Sequence, residues 1–284
     1  LFQPAEELGA GAAAMADDGL FDRIPRPMIV LGQHVSPLPA GVVAIQSGLA
    51  FAAADGIKVT FYGRGGHGSR PETTVDPIVM AAATVLRLQT IVSRETSATD
   101  SLVLTIGSLH AGTKNNVIPD TSEILISMRS FDTAVRDNAV AAIRRIVAGE
   151  SLAAGAPREA TVEVYESFPS VVNDPDAAEC TRAALVEHFG AGAVIAPGAV
   201  TGSEDVGVLA AAAGAPCSFW LLGGSDPALF ASATSIEEIA RLVAQQPSNH
   251  SAGYAPVIEP TLTHGIDALV TAAHSWFARA GKGP

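Results

Sequence analysis

The sequence predicts an α/β fold in which one domain is interrupted by another, and three observations carry that expectation. An apolar strand with alanine-rich helices opens the chain, a block with βαββαβ order follows, and the alanine-rich texture then returns. Two segments of like texture flanking a differently patterned block are most simply one discontinuous α/β domain with an insert. The expected boundaries are residues 1–54, 55–168 and 169–284.

In the first segment, "LFQPAEELGAG" reads as the end of a buried strand running into a helix, with Glu6 and Glu7 at the junction. "PMIVLGQHV" is a continuous apolar run with a polar tip, the pattern of a strand covered on both faces. In the insert, "GIKVTFYG" reads as a strand. Residues 75–93 read as a helix, with Ile78, Ala82, Val85, Leu86 and Gln89 at three- and four-residue spacing. "SLVLTIGSL" and "SEILISMRS" alternate as strands. Residues 134–147 form a second helix, with Val135, Ala139, Ala142, Ile143 and Ile146 on one stripe, and "ATVEVYES" is the last strand. This order can close as a ferredoxin-like four-stranded sheet with two helices on one face. In the third segment the longest uncharged run, 206–224, is broken by Gly214-Ala215-Pro216 into a helix (206–213) and a short buried strand (217–222). It is therefore not a membrane span.

Composition narrows the partners. With 48% hydrophobic residues and a net charge of -12, the chain lacks the basic footprint of a protein that binds nucleic acid or an anionic membrane. Two cysteines, Cys180 and Cys217, stand far apart, so a disulfide framework is not expected and a reducing, cytoplasmic setting fits.

Several side chains are candidates for chemistry, each with a bland alternative. Of the adjacent Glu6 and Glu7, one can ligate a metal while the other faces a water and takes its proton; the alternative is an acidic helix N-terminus. His34 ends the apolar run, at the kind of strand end where ligands gather, or is a satisfied polar tip. His67 lies in the glycine-rich "GRGGHGSRP", which lacks the spacing of a phosphate loop. Its glycines either free the imidazole to protrude or only form a turn. Asn116, in "GTKNNVIPD", offers an amide donor or satisfies a turn. Arg129 can grip a carboxylate in a fork or lie on the surface. His250 stands in the polar loop "QPSNHSAGYAP". Glu204 and Asp205, in "GSED", cap the following helix or support a site from behind.

"FQPAEE", "GQHVSPLPAG", "GRGGHGSRP", "NNVIPD", "GSEDVG" and "NHS" stand in an order that resembles the metal-dependent amidohydrolases. These include hippurate hydrolases, N-acyl-amino-acid amidohydrolases and auxin-conjugate hydrolases, and more distantly aminoacylases and zinc carboxypeptidases. The resemblance covers essentially the whole chain. It implies a zinc-peptidase-like α/β catalytic domain, an insert that acts as lid and dimerisation domain, and a small N-acyl amino acid as substrate. By position it implies that Glu6 is the general base and that Glu7, His34 and His250 are metal ligands. His67 is implied to act in the partner's site, and Asn116 and Arg129 to contact the substrate. Two divalent ions per subunit, zinc, manganese, cobalt or nickel, are implied as cofactors, and a homodimer through the insert as the assembly. Members also carry an earlier segment resembling "HACGHDGH" that supplies further ligands. Its absence here leads to the expectation of a chain short by about the first hundred residues, a size within one domain's range. Two further readings remain at this point: a shortened, non-catalytic homologue that dimerises as a binding or scaffold protein, and a true peptidase.

Overall fold

The structure is a computed structural model and describes residues 1–280. Its first segment contains α1 (Gly11–Asp17), α2 (Leu20–Arg23), β1 (Val30–Pro39), β2 (Val43–Ile45) and β3 (Gly48–Phe51). The middle contains β4 (Ala53–Tyr62), β5 (Gly66–His67), α3 (Pro77–Thr90), β6 (Leu102–Ala111), β7 (Val117–Ile118), β8 (Thr121–Ser130), α4 (Thr133–Ala153) and β9 (Thr161–Phe168). The last segment contains β10 (Val171–Asn173), α5 (Pro175–Phe189), β11 (Val194–Ile195), α6 (Val206–Ala213), β12 (Cys217–Ser225), α7 (Ile236–Val243) and α8 (Thr261–Ala280).

The middle sheet has the order β6-β8-β4-β9, antiparallel throughout, which is the expected βαββαβ closure. Alternation on β8 turns Ile124, Ile126 and Met128 inward, where they meet Met80 and Leu88 of α3 and Ile143 of α4. Both helices start at an aspartate whose carboxylate accepts from the first free amides: Asp76 from Ile78 N–H, and Asp132 from Ala134 and Val135 N–H. The face of α3 differs from the spacing argument. Met80, Ala81, Thr84 and Leu88 are buried, while Ile78 and Leu86 are exposed, together with Val79. This helix is apolar nearly all round, so periodicity did not decide which stripe the sheet takes.

The other sheet, order β1-β12-β2-β11, combines residues from both ends of the chain. β12 is the strand buried on both faces. Trp220 and Leu222 pack with Leu185 of α5 and Ala268 and Ala272 of α8, whereas Cys217 and Phe219 pack with Val206 and Ala210 of α6. β1 pairs with β12 alone among the described residues, and its side chains are mostly half-buried rather than covered on both faces. An edge strand has one neighbour fewer to shield it. The helix and strand expected within 206–224 are both present. Among the described residues, no helix is long and apolar enough to cross a membrane.

Candidate active site

Glu6 and Glu7 stand on a 3-10 turn, Glu6–Leu8, between two left-handed residues, Ala5 (φ 53°) and Gly9 (φ 59°). Left-handed backbone costs a residue such as alanine about 1–2 kcal/mol, so the surroundings must hold this turn in place. Gly9 faces Phe168 so closely that a Cβ there would lie 2.7 Å from Cζ of the ring. Phe168 ends β9, so the strand returning from the middle segment presses on the loop that carries both acids.

His34 lies inside β1, opposite Leu221 of β12, and not at a strand tip. The strand runs on to Pro39 with a break in register after Ser36. Pro37 is accommodated because an edge strand can lose a ladder N–H. The His34 Nδ1 is 2.6 Å from the carbonyl oxygen of Val35. A carbonyl only accepts, so Nδ1 carries the proton and Nε2 presents a lone pair. Asn249 Nδ2 donates to the same oxygen at 3.0 Å, which anchors the loop bearing His250. His250 has φ 70°, and its Nδ1 lies 3.1 Å from Glu7 Oε2.

Glu204 joins this group. It is only 6% exposed, and one ligand atom each from Glu6, His34 and Glu204 lie within 4.8 Å of one another. Burial, then the carboxylates of Glu6, Asp205 and Glu7, push Glu204 up to about 8. Glu6 is also raised from its ordinary value, first by burial and then by Glu7, with His34 and His250 opposing. Carboxylates gathered out of water require a proton or a cation.

Glu6, Glu7, His34, Glu204 and His250 line one cleft of about 1020 Å³, and its opposite wall comes from the middle sheet through Ser108, Leu125, Ser127 and Arg129. Arg129 Nη1 donates to the carbonyl of Thr201 at 3.0 Å, on the loop that leads to Glu204. His67 and Asn116 are not among the residues lining this cleft. They stand together elsewhere, exposed on the small β5–β7 sheet, where Gly68 N–H donates to Asn116 O at 2.8 Å. Ser69 N–H donates to His67 Nδ1 at 3.1 Å, which leaves the proton on Nε2.

Residues 52–154 match the peptidase dimerisation domain family. The chain is 37% identical over 206 residues to an N-acetyl-L-cysteine deacetylase of Bacillus subtilis, covering 72% of this chain and 48% of that one. It is 35% identical over 190 residues to a hippurate hydrolase of Campylobacter jejuni, covering 66% and 49%. A solved Bacillus subtilis structure, described as a dinuclear metal binding peptidase from the M20 family, superposes with a TM-score of 0.61 at 25% identity, covering 85% of this chain and 61% of that one. Over these spans the chain is similar to the metal-dependent amidohydrolases. It spans about half the length of the curated relatives it matches.

The "GSED" stretch departs from the expected helix cap. Asp205 occupies the N-cap position of α6 but makes no side-chain bond to that helix, because its carboxylate is taken up by the first segment. Glu204 has a consequence for stability. Its carboxyl has an ordinary value of 4.5 and titrates near 8 in the fold. Between those values the folded protein holds a proton that the unfolded chain has lost, so stability falls as pH rises through that window. The loss expected in chelator-treated protein is on the order of a few kcal/mol, and Glu204→Gln should flatten it. Thermal melts from pH 5 to 9 read the slope; an equal slope in the variant would acquit Glu204.

Proposed function

We propose that the protein hydrolyses the amide bond of N-acyl amino acids, hippurate-like or related conjugates, in the cleft between the two sheets. The observation that carries this reading is that three carboxylates and two imidazoles line that cleft, with ligand atoms of Glu6, His34 and Glu204 within 4.8 Å of one another. Imidazole nitrogen and carboxylate oxygen suit a divalent metal such as zinc, manganese, cobalt or nickel. The free lone pair on His34 and the adjacency of Glu7 and His250 fit that role. Glu7, His34 and His250 would hold the metal, and Glu204 offers a further carboxylate for a second ion, in keeping with the description of the Bacillus subtilis structure. Bound there, the metal supplies a Lewis acid for the scissile carbonyl.

The side chains divide the remaining work. Glu6, with its carboxyl raised above its ordinary value, takes a proton from the attacking water and returns it to the departing amine nitrogen. Arg129 gives one N–H to Thr201 and keeps others of its five for the substrate carboxylate. His67 presents its Nε2 donor to the developing oxyanion, and Asn116 stands beside it for the carbonyl end of the substrate. Since both lie outside their own cleft, they serve the cleft of a second copy in a homodimer. The exposed Val79 and Leu86 of α3, and Val103 and Leu109 on the edge strand β6, offer apolar surface for that contact.

Two measurements test this reading. After dialysis against Mn²⁺, elemental analysis should find metal that the double replacement His34→Ala, His250→Ala removes. Glu6→Gln and His67→Ala proteins, each inactive toward hippurate, should regain part of the activity when mixed, because one cleft of a mixed dimer is intact. Metal retained by the double variant counts against the ligand set. Mixed dimers that form and stay inactive count against His67 acting across the interface.

A further inference from the structure

The acidic turn at Glu6 and Glu7 is short, carries left-handed residues at both ends, and has no buried side chain of its own. Something outside it must fix its place. In the helix that follows, α1, Gly11 N–H donates to the carbonyl of Ala5 at 3.3 Å, but Ala10 at the N-cap makes no side-chain bond, so the next amide, that of Ala12, lacks a local partner. The missing acceptor comes from the far end of the chain. Asp205, 1% exposed, accepts from the Ala12 backbone N–H at 3.1 Å through Oδ2, and from Gln3 Nε2 through Oδ1. One carboxylate thus grips the segment on both sides of the acid pair, across 193 and 202 residues of sequence. It does so at the expense of its own helix, since an N-cap aspartate ordinarily bonds amides of the helix it starts, and α6 receives no such bond. The neighbouring residue, Glu204, belongs to the group formed with Glu6 and His34.

We propose that Asp205 is the positioning residue of the acid pair: it holds the segment from Gln3 to Ala12 at a fixed offset from Glu204 and His34. Glu6 and Glu7 thereby meet the cleft without a strand or long helix of their own to stand on. The proposal rests on the metal-binding reading above for its consequence, and on the two hydrogen bonds for its geometry. Asp205→Asn is the informative change, because the amide keeps the shape while replacing one acceptor oxygen with a donor. Adding Gln3→Glu restores an acceptor opposite the new donor, so the Gln3–Asp205 link is rebuilt with its roles exchanged.

The test has two arms. In metal-free protein, hydrogen exchange of a peptide spanning residues 1–14 should quicken about tenfold in Asp205→Asn, with the middle sheet unchanged, and slow again in the double variant. In a Mn²⁺ titration, the single variant should bind about 10–100-fold more weakly, the usual cost of losing a residue that orients ligands, and the double variant should recover part of that loss. Unchanged exchange in the single variant overturns the proposal, as does faster exchange with unchanged Mn²⁺ affinity. If wild-type protein binds no Mn²⁺, the functional reading falls, while the exchange arm still decides whether Asp205 orders the segment. Should Asp205→Asn not fold, Gln3→Ala removes one of the two bonds from a half-buried side chain and carries the same two arms.

Discussion

Glu6→Gln is expected to lower hydrolysis of hippurate or an N-acetyl amino acid by about 10²–10⁴-fold, the usual worth of a positioned general base. Glutamine keeps the volume and one carbonyl oxygen but has no lone pair basic enough to take a proton from water. Bound metal, measured by elemental analysis, should therefore stay near the wild-type amount. A fall of metal in step with activity would make Glu6 a ligand rather than a base, a role its closeness to His34 and Glu204 permits. Undiminished turnover would remove Glu6 from the chemistry altogether.

Arg136→Met should destabilise the protein by about 3–5 kcal/mol, the range for stripping one partner from a buried ion pair. Asp55 is 3% exposed. Arg136 donates to both its oxygens, Nε at 2.8 Å and Nη2 at 2.6 Å, and Ser167 Oγ donates at 2.8 Å. Asp55 and Ser167 face each other in the β4–β9 register, at the end of the middle sheet where the chain enters and leaves. Without the guanidinium, a buried carboxylate is left with the serine hydroxyl as its side-chain donor. Pairing Arg136→Met with Asp55→Asn should return at least half of the loss, because the uncompensated charge is the larger part of the cost. Urea denaturation reads both numbers; a loss below about 1 kcal/mol for the single change would mean that solvent reaches Asp55.

Much of the middle segment was legible because its strands alternate over eight to ten residues and α4 buries the one apolar stripe that its spacing marks, Ala139, Ala142, Ile143 and Ile146. β2, β5, β7 and β11 were not, since strands of two or three residues contain no period to read. The outward face of α3 escaped for the opposite reason, an excess of apolar side chains on every side. The candidate site was half legible. Glu6, Glu7, His34 and His250 line one cleft, and each stands out in the sequence as an acid or imidazole at a turn or strand end. Glu204 was hidden behind an adequate local reading, because acids before an apolar helix look like a cap until the helix is seen without a bond from Asp205. The association of His67 with Asn116 depends on the pairing of β5 with β7 across a long stretch of sequence, and local spacing carries no trace of it.

The carbonyl oxygen of Val35 receives both His34 and the amide of Asn249, whose position is 214 residues further along the chain. The two imidazoles of the cleft are thus surveyed from a single benchmark. A small slide of the edge strand carries both rings with it and leaves their separation nearly unchanged, even though His250 rides on an exposed loop. The tolerance of the site is set at one backbone atom, and a change that displaces Val35 would detune two rings at once without touching either.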